Sequence, residues 1–131
     1  MVNGTGAVIK HFTDLEAWKI NHQAVLLGYE ISSSFPKEER FGMTDQLRRA
    51  LVSITSNIAE GWGHFHFANK TRYYYQARGS SCEVQNQLII AKDLRMLSVT
   101  EYDTLKQVVF NGFKLINGLI RSIERTQDKT K

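Results

Sequence analysis

One proline, Pro36, and one cysteine, Cys82, occur in a chain of 131 residues. With so little proline, long helices meet few interruptions. A single cysteine excludes an internal disulfide and favours a reducing compartment. No apolar run approaches the roughly 20 residues of a membrane span, and Met1–Thr13 lacks the basic-then-apolar pattern of a secretory leader. A cytoplasmic protein that does not enter the membrane is therefore expected. Also missing are a Walker loop, a dinucleotide glycine motif and a zincin motif. Ser80 and Ser81 beside Cys82 invite a nucleophile reading, yet no nucleophile–base–orienter set can be assembled around them. The chain is expected not to be an enzyme and to carry no cofactor.

What is present suits one helical domain. Hydrophobic residues make up 42% of the chain, a globular proportion, and the length suffices for a single core. Seventeen Lys and Arg against thirteen Asp and Glu leave a net charge of +4. That excess is compatible with a polyanionic partner and also serves solubility, so its placement matters more than its size.

Apolar periodicity predicts helices over residues 14–33, 44–60, 69–94 and 101–125. Thr13-Asp-Leu-Glu16 has capping-box spacing ahead of the first, whose stripe reads Leu15, Trp18, His22, Val25, Leu26 and Tyr29. Ser32-Ser-Ser-Phe-Pro36 stops it, because the residue before proline is pushed out of the α region. The second helix is expected to start with Thr44 as cap and to place Met43, Leu47, Ala50, Leu51, Ile54 and Ile58 on one face. Opposite lie Arg49, Ser53, Ser56 and Glu60, small enough in places for another helix or another subunit to approach. Gly61 and Gly63 are expected to supply a left-handed cap and turn. After a loop over His64–Ala68, Asn69 caps a third helix carrying Tyr74, Ala77, Ser81, Val84, Leu88 and Ala91. Gly79 in its middle costs roughly 1 kcal/mol against alanine, which predicts a close backbone contact there. Thr100-Glu-Tyr-Asp103 opens the fourth helix, with Leu105, Val108, Val109, Gly112, Leu115, Ile116, Leu119 and Ile123 as its stripe.

Four helices joined by short connections predict an antiparallel up-down-up-down bundle. Residues 1–12 are expected to form a flexible arm, 13–126 the bundle, and 127–131 a disordered basic tail. Folding the third helix back on the second brings Arg48 and Arg49 level with Cys82 and Glu83, which predicts an interhelical ion pair.

The outer face of the fourth helix is the foremost candidate site. Taking Lys106 as zero, Lys114, Asn117, Arg121 and Arg125 fall within about 100° of arc, opposite the apolar stripe. Phe110 and Phe113 lie near the same sector, which Asp103 and Glu124 dilute. Cations neutralise phosphates and exposed rings stack on unpaired bases. A solvated face whose phenylalanines pack on a neighbour would show the same pattern. Lys70, Arg72 and Arg78 form a second basic group, with Arg49 and Arg78 expected to pair with Glu60 and Glu83 and with Glu60 level with Lys70 and Arg72. His64-Phe-His66 lacks the second ligand pair that structural zinc wants, so no metal is expected. His22 reads as a hydrogen-bonded core or interface histidine. Of Tyr73-Tyr-Tyr75, at least one ring must be structural, since successive helical residues diverge.

Several blocks taken together resemble a known family. They are Asp14-Leu-Glu-Ala-Trp18, Phe35-Pro36, Phe41-Gly-Met-Thr44, Gln46-Leu-Arg-Arg-Ala50, Ser53-Ile54, Ser56-Asn-Ile-Ala-Glu-Gly61, Phe65-His-Phe67, Ala77-Arg-Gly-Ser80 and Glu83. Between Phe12 and Arg125 the chain resembles the 23S rRNA-intervening-sequence proteins, departing at His64 and at Asn69-Lys-Thr71. The resemblance implies a four-helix bundle that assembles as a ring of five and has no known catalytic activity. It also implies kinship with accessory factors of diversity-generating retroelements, which bind nucleic acid and a reverse transcriptase. The expected function is a ring-like homo-oligomeric adaptor for RNA or structured nucleic acid. The alternative is a protein-interaction scaffold or reverse-transcriptase accessory subunit.

Overall fold

A computed structural model describes residue 2 and residues 6–130, with side chains described as far as residue 127. Four helices follow one another: α1 (Glu16–Ser32), α2 (Met43–Gly63), α3 (Phe67–Asp93) and α4 (Val99–Thr130). Short 3₁₀ turns at Phe12–Asp14 and Lys37–Glu39 lead into the first two. The protein is all-α, and apart from an isolated bridge between Val2 and Val8 no strand pairing occurs among the described residues.

The helix ends depart from the sequence expectation for identifiable reasons. Ahead of α1 the capping acceptor is Asp14, not Thr13: its carboxylate takes the backbone N–H of Lys10 at 2.9 Å and of His11 at 3.1 Å. An ionised acceptor makes the stronger hydrogen bond, and the Thr13 hydroxyl is engaged with the His11 ring instead. Those donors hold the Asp14 carboxyl below its usual range, the Lys10 N–H foremost. At α2 the Glu39 carboxylate accepts from Met43 N at 3.0 Å, so the helix begins one residue before Thr44. Gly61 and Gly63 both lie inside α2, and among the described residues only Gly6 and Arg95 have positive φ. The expected left-handed glycine cap is therefore absent, and α3 starts at Phe67, two residues before Asn69. At α4 the reciprocal cap is Ser98 with Glu101, at 3.0 and 2.8 Å, two residues upstream of the expected Thr100 pattern.

Both termini carry more structure than expected. Ile9 is buried in the core, so the arm is anchored before residue 12. α4 continues to Thr130, well past the expected end at 125. The rest of the arm at residues 1 and 3–5, and of the tail at residue 131, lies outside the described residues.

Each helix packs against two others, in the cyclic order α1, α2, α3, α4. The stripe of α2 is buried as expected, with Leu47, Leu51, Ile54 and Ile58 at 0% exposure. Burying a side chain of that size contributes about 1.5–3 kcal/mol. The small residues opposite it receive α3 of the same chain: the Ser53 and Ser80 hydroxyls meet at 2.8 Å, and Asn57 donates to Ser53 O and Oγ. In α1 the stripe is displaced. Ala17, Asn21, Ala24, Gly28, Ile31 and Ser32 are the buried residues, whereas Leu26 is 58% exposed. The reason is close packing: a Cβ at Gly28 would collide with Leu51 Cδ1, and one at Gly112 with the Asn21 amide. Gly79, by contrast, has nothing within 4 Å of a Cβ position, so the close contact expected there is not made.

Candidate nucleic-acid interface

α4 holds its outer cations over aromatic rings one turn away. Lys106 Nζ stands 5.5 Å from the centre of the Tyr102 ring and Lys114 Nζ 5.2 Å from that of Phe110. This is the i, i+4 geometry that neighbouring helix positions permit. Phe110 stacks on Phe113 with centroids 6.3 Å apart. α3 then adds a cation at each end of the row. Arg78 lies 5.6 Å from the centre of Phe113, and Lys92 lies 4.6 Å from that of Tyr102. Tyr102 thus has two ammonium groups beside it, of which Lys92 is also paired with Asp93 at 3.9 Å. From Tyr102 to Phe113 the row runs roughly 16 Å along the helix.

The charge of this row is mostly uncompensated. Among the described residues the ion pairs are Lys19–Glu16, Arg49–Asp45, His64–Glu60 and Lys92–Asp93. None involves Lys106, Lys114, Arg121, Arg125 or Arg78, all of them exposed. Glu124, in the same sector, accepts a hydrogen bond from the Tyr75 hydroxyl at 2.8 Å, which raises the Tyr75 phenol above its ordinary range. Asn117 is half-buried and Phe110 is 44% exposed, so the ring is the more available of the two.

Several expected pairings are not made. Arg48 donates to Ser32 Oγ at 2.8 Å and to Tyr29 O at 3.2 Å, bracing α1 rather than α3. Arg49 pairs with Asp45 on its own helix at 3.9 Å, while the Glu83 carboxylate accepts from Gln87. Glu60 faces His64 at 3.7 Å and reaches neither Arg49 nor Lys70. The turn from α2 into α3 is short, so the register that it sets differs from the one a longer loop would give. Lys70 turns to the end of α2, donating to Gly61 O at 3.3 Å and Trp62 O at 2.7 Å, and burial holds its ammonium below the usual range. Arg72 lies over the Tyr73 ring, and His64 stacks on that same ring with centroids 4.7 Å apart. Tyr74 is the core member of the tyrosine run, at 2% exposure. His22 is half-buried and stacks on Trp18, 4.5 Å away. Among the described residues no three His, Cys, Asp or Glu side chains are placed to share a metal ion.

Lys92 and Tyr102 are not among the sequence-derived site candidates, and Arg78 is expected from the sequence in a separate basic group on α3 and as an ion-pair partner, not beside the α4 row. The contacts of Arg78 with Phe113 and of Lys92 with Tyr102 depend on the register of α3 against α4, which the connection after Asp93 decides. No helix among the described residues is long and apolar enough to cross a membrane.

The sequence model of a family described as 23S rRNA-intervening sequence protein matches residues 13–118. A crystal structure of a protein with unknown function, from the S23 ribosomal protein family of Bacteroides thetaiotaomicron, is similar in fold, with a TM-score of 0.74. It is 17% identical over 80% of this chain and 95% of that one, and at such identity the likeness concerns the fold alone. No curated protein matches the chain.

Proposed function

The chain belongs to the 23S rRNA-intervening sequence protein family, and from that premise we propose a non-enzymatic, homo-oligomeric adaptor that binds RNA through the outer face of α4. The observation that carries this reading is the row of exposed cations seated on rings: Lys106 on Tyr102, Lys114 on Phe110, and Arg78 on Phe113. Phosphates would be neutralised by the cations, and an unpaired base would stack on Phe110, the exposed ring of the row. Readout of base sequence is not expected, since stacking tolerates every base. A reducing cytoplasmic compartment suits the exposed thiol of Cys82.

The assembly we propose is an antiparallel bundle repeated around a closed ring of five, the number following from the family resemblance. Contacts along the α1–α2 and α2–α3 pairs support alternating direction. Gly28 meets Leu51 while Ser32 meets Arg48, and Ser53 meets Ser80 while Gly61 meets Tyr74. Residue numbers fall on one helix as they rise on the other. A ring needs two unlike patches per subunit. Leu26, Tyr29 and Val52 on α1 and α2 offer one, and Ile89 and Ile90 on α3 the other. Repeating the cations around a rim raises avidity without new contact chemistry.

The test is an RNA titration across salt with wild type and the Lys114→Gln/Arg121→Gln double variant. Two lost phosphate contacts should reduce the slope of log affinity against log salt by about 1.4–1.8, with assembly unchanged by size-exclusion chromatography. Unchanged affinity and slope in a correctly assembled variant would remove α4 as the surface. A protein scaffold, such as a reverse-transcriptase accessory subunit, would then be favoured by Phe41 and Phe65, which are 84% and 88% exposed at opposite ends of α2.

A further inference from the structure

At one end of the bundle the core is left open. Asn21 lies level with Gly112, so α1, which begins at Glu16, runs out beside roughly residue 117 of α4, and the turns beyond it have no α1 to cover them. A cleft of about 450 Å³ results, walled by Trp62, Phe67, Tyr74, Leu119 and Ile123 with Lys70 in its lining. That volume falls among small-molecule pockets, about 300–1,000 Å³.

We propose that this cleft receives one unstacked nucleotide of a single strand, its base among the aromatic walls and its phosphate on Lys70. The proposal rests on the RNA reading above and names the part of the ligand that the α4 surface leaves unread.

Three observations converge on that occupant. Three of the walls are aromatic, which suits a flat ring more than an aliphatic chain. Lys70 has no carboxylate partner among the described residues; two of its three N–H donors go to Gly61 O and Trp62 O, leaving one for an anion. Ser122 adds a hydroxyl at the rim. Continuity supplies the third point: the turns of α4 that line the cleft with Leu119 and Ile123 carry exposed Arg121 and Arg125 on their outer side. A backbone following those arginines can turn a base inward over the end of the helix.

Trp62 is the natural reporter, since Trp18→Phe leaves it as the sole tryptophan. In that background adenosine monophosphate and a short single-stranded oligoadenylate should quench Trp62 emission, whereas ribose phosphate and a blunt duplex should not. Lys70→Gln should weaken both quenching ligands about tenfold, the loss expected for one charged hydrogen bond. Ser122→Phe fills the cleft without touching Lys70 and should abolish quenching, which guards against a folding defect in the first variant. Quenching by ribose phosphate, or equal quenching by duplex and single strand, overturns the pocket. RNA binding that keeps the α4 salt slope but never quenches Trp62 also overturns it and leaves the surface reading standing. Loss of RNA binding altogether in the wild-type chain would bring down the surface reading and the single-strand occupant with it.

Discussion

Replacing Gly112 with alanine sets a helix gain against a packing cost. Alanine in the middle of α4 should favour the helix by about 1 kcal/mol. Against that, an ideal Cβ at Gly112 collides with Asn21 Oδ1 and falls 2.7 Å from Cγ and 2.8 Å from Nδ2. The amide has nowhere easy to go. Asn21 is 0% exposed, and its Nδ2 donates to Ala17 O at 2.7 Å and to Gly112 O at 3.3 Å. Its Oδ1 has no N–H or O–H donor, so the close Gly112 Cα–H is its available weak partner. Overpacking should cost about 1–3 kcal/mol, and tearing the buried amide from Gly112 O about 1–3 more. Net destabilisation is therefore expected at about 1–5 kcal/mol. Urea unfolding followed by far-UV circular dichroism measures it, at fixed protein concentration because self-association moves the midpoint. Asn21→Ala closes a double-mutant cycle: it removes the amide and leaves room for the new methyl. The double variant should be more stable than Gly112→Ala alone, with a coupling of about 1–3 kcal/mol. Wild-type stability for Gly112→Ala, or strict additivity in the cycle, would refute the overlap.

Burial pushes the Tyr74 phenol up to about 12, against about 10 in the unfolded chain. Between those values the unfolded chain binds fewer protons, so stability, intact below pH 10, should fall by roughly 2–3 kcal/mol as pH rises toward 12. Tyr74→Phe should flatten that alkaline decline in denaturation midpoints, and an unchanged slope would assign it to other groups. Gly79→Ala should raise stability by about 0.5–1 kcal/mol, because nothing lies within 4 Å of its Cβ. Sedimentation is the second readout there: dissociation of the proposed oligomer by the added methyl would place a partner backbone against Gly79 and overturn the expectation.

Much of the core was legible because α2, α3 and α4 bury what their hydropathy announces. Leu51, Ile54, Val84, Leu88, Val109 and Ile116 are all at or near 0% exposure. α1 was not legible in this way. Apart from Ile31 its buried side chains are small or polar (Ala17, Asn21, Ala24, Gly28, Ser32), while Trp18, Val25 and Leu27 pack only partly buried and Leu26 and Tyr29 face outward. A stripe read from hydropathy weighs size, whereas packing here rewards small groups that let neighbours approach. The expected caps are displaced because other acceptors compete: Asp14 lies within the Thr13–Glu16 pattern, and Glu39 and Ser98 lie ahead of Thr44 and Thr100. In the candidate site, Lys106, Lys114, Arg121 and Arg125 could be placed on one outer face from spacing alone. The contributions of Arg78 to Phe113 and of Lys92 to Tyr102 could not, since they arise between helices.

The turn between α2 and α3 leaves only His64–His66 outside the helices, whereas the Asn21–Gly112 contact joins residues 91 apart in sequence. Counted as sequence separation, 27 for Ser53–Ser80 against 91 for Asn21–Gly112, loop-closure entropy separates the two by about 1 kcal/mol. The α2–α3 hairpin is thus the expected nucleus, and the α1–α4 seam the expected last closure. Stopped-flow chevrons should show Ser53 or Ser80 substitutions slowing folding, and Asn21 substitutions mainly accelerating unfolding; the reverse pattern would exclude this order. How long a folded subunit lasts would then be decided at the junction of its first and last helices.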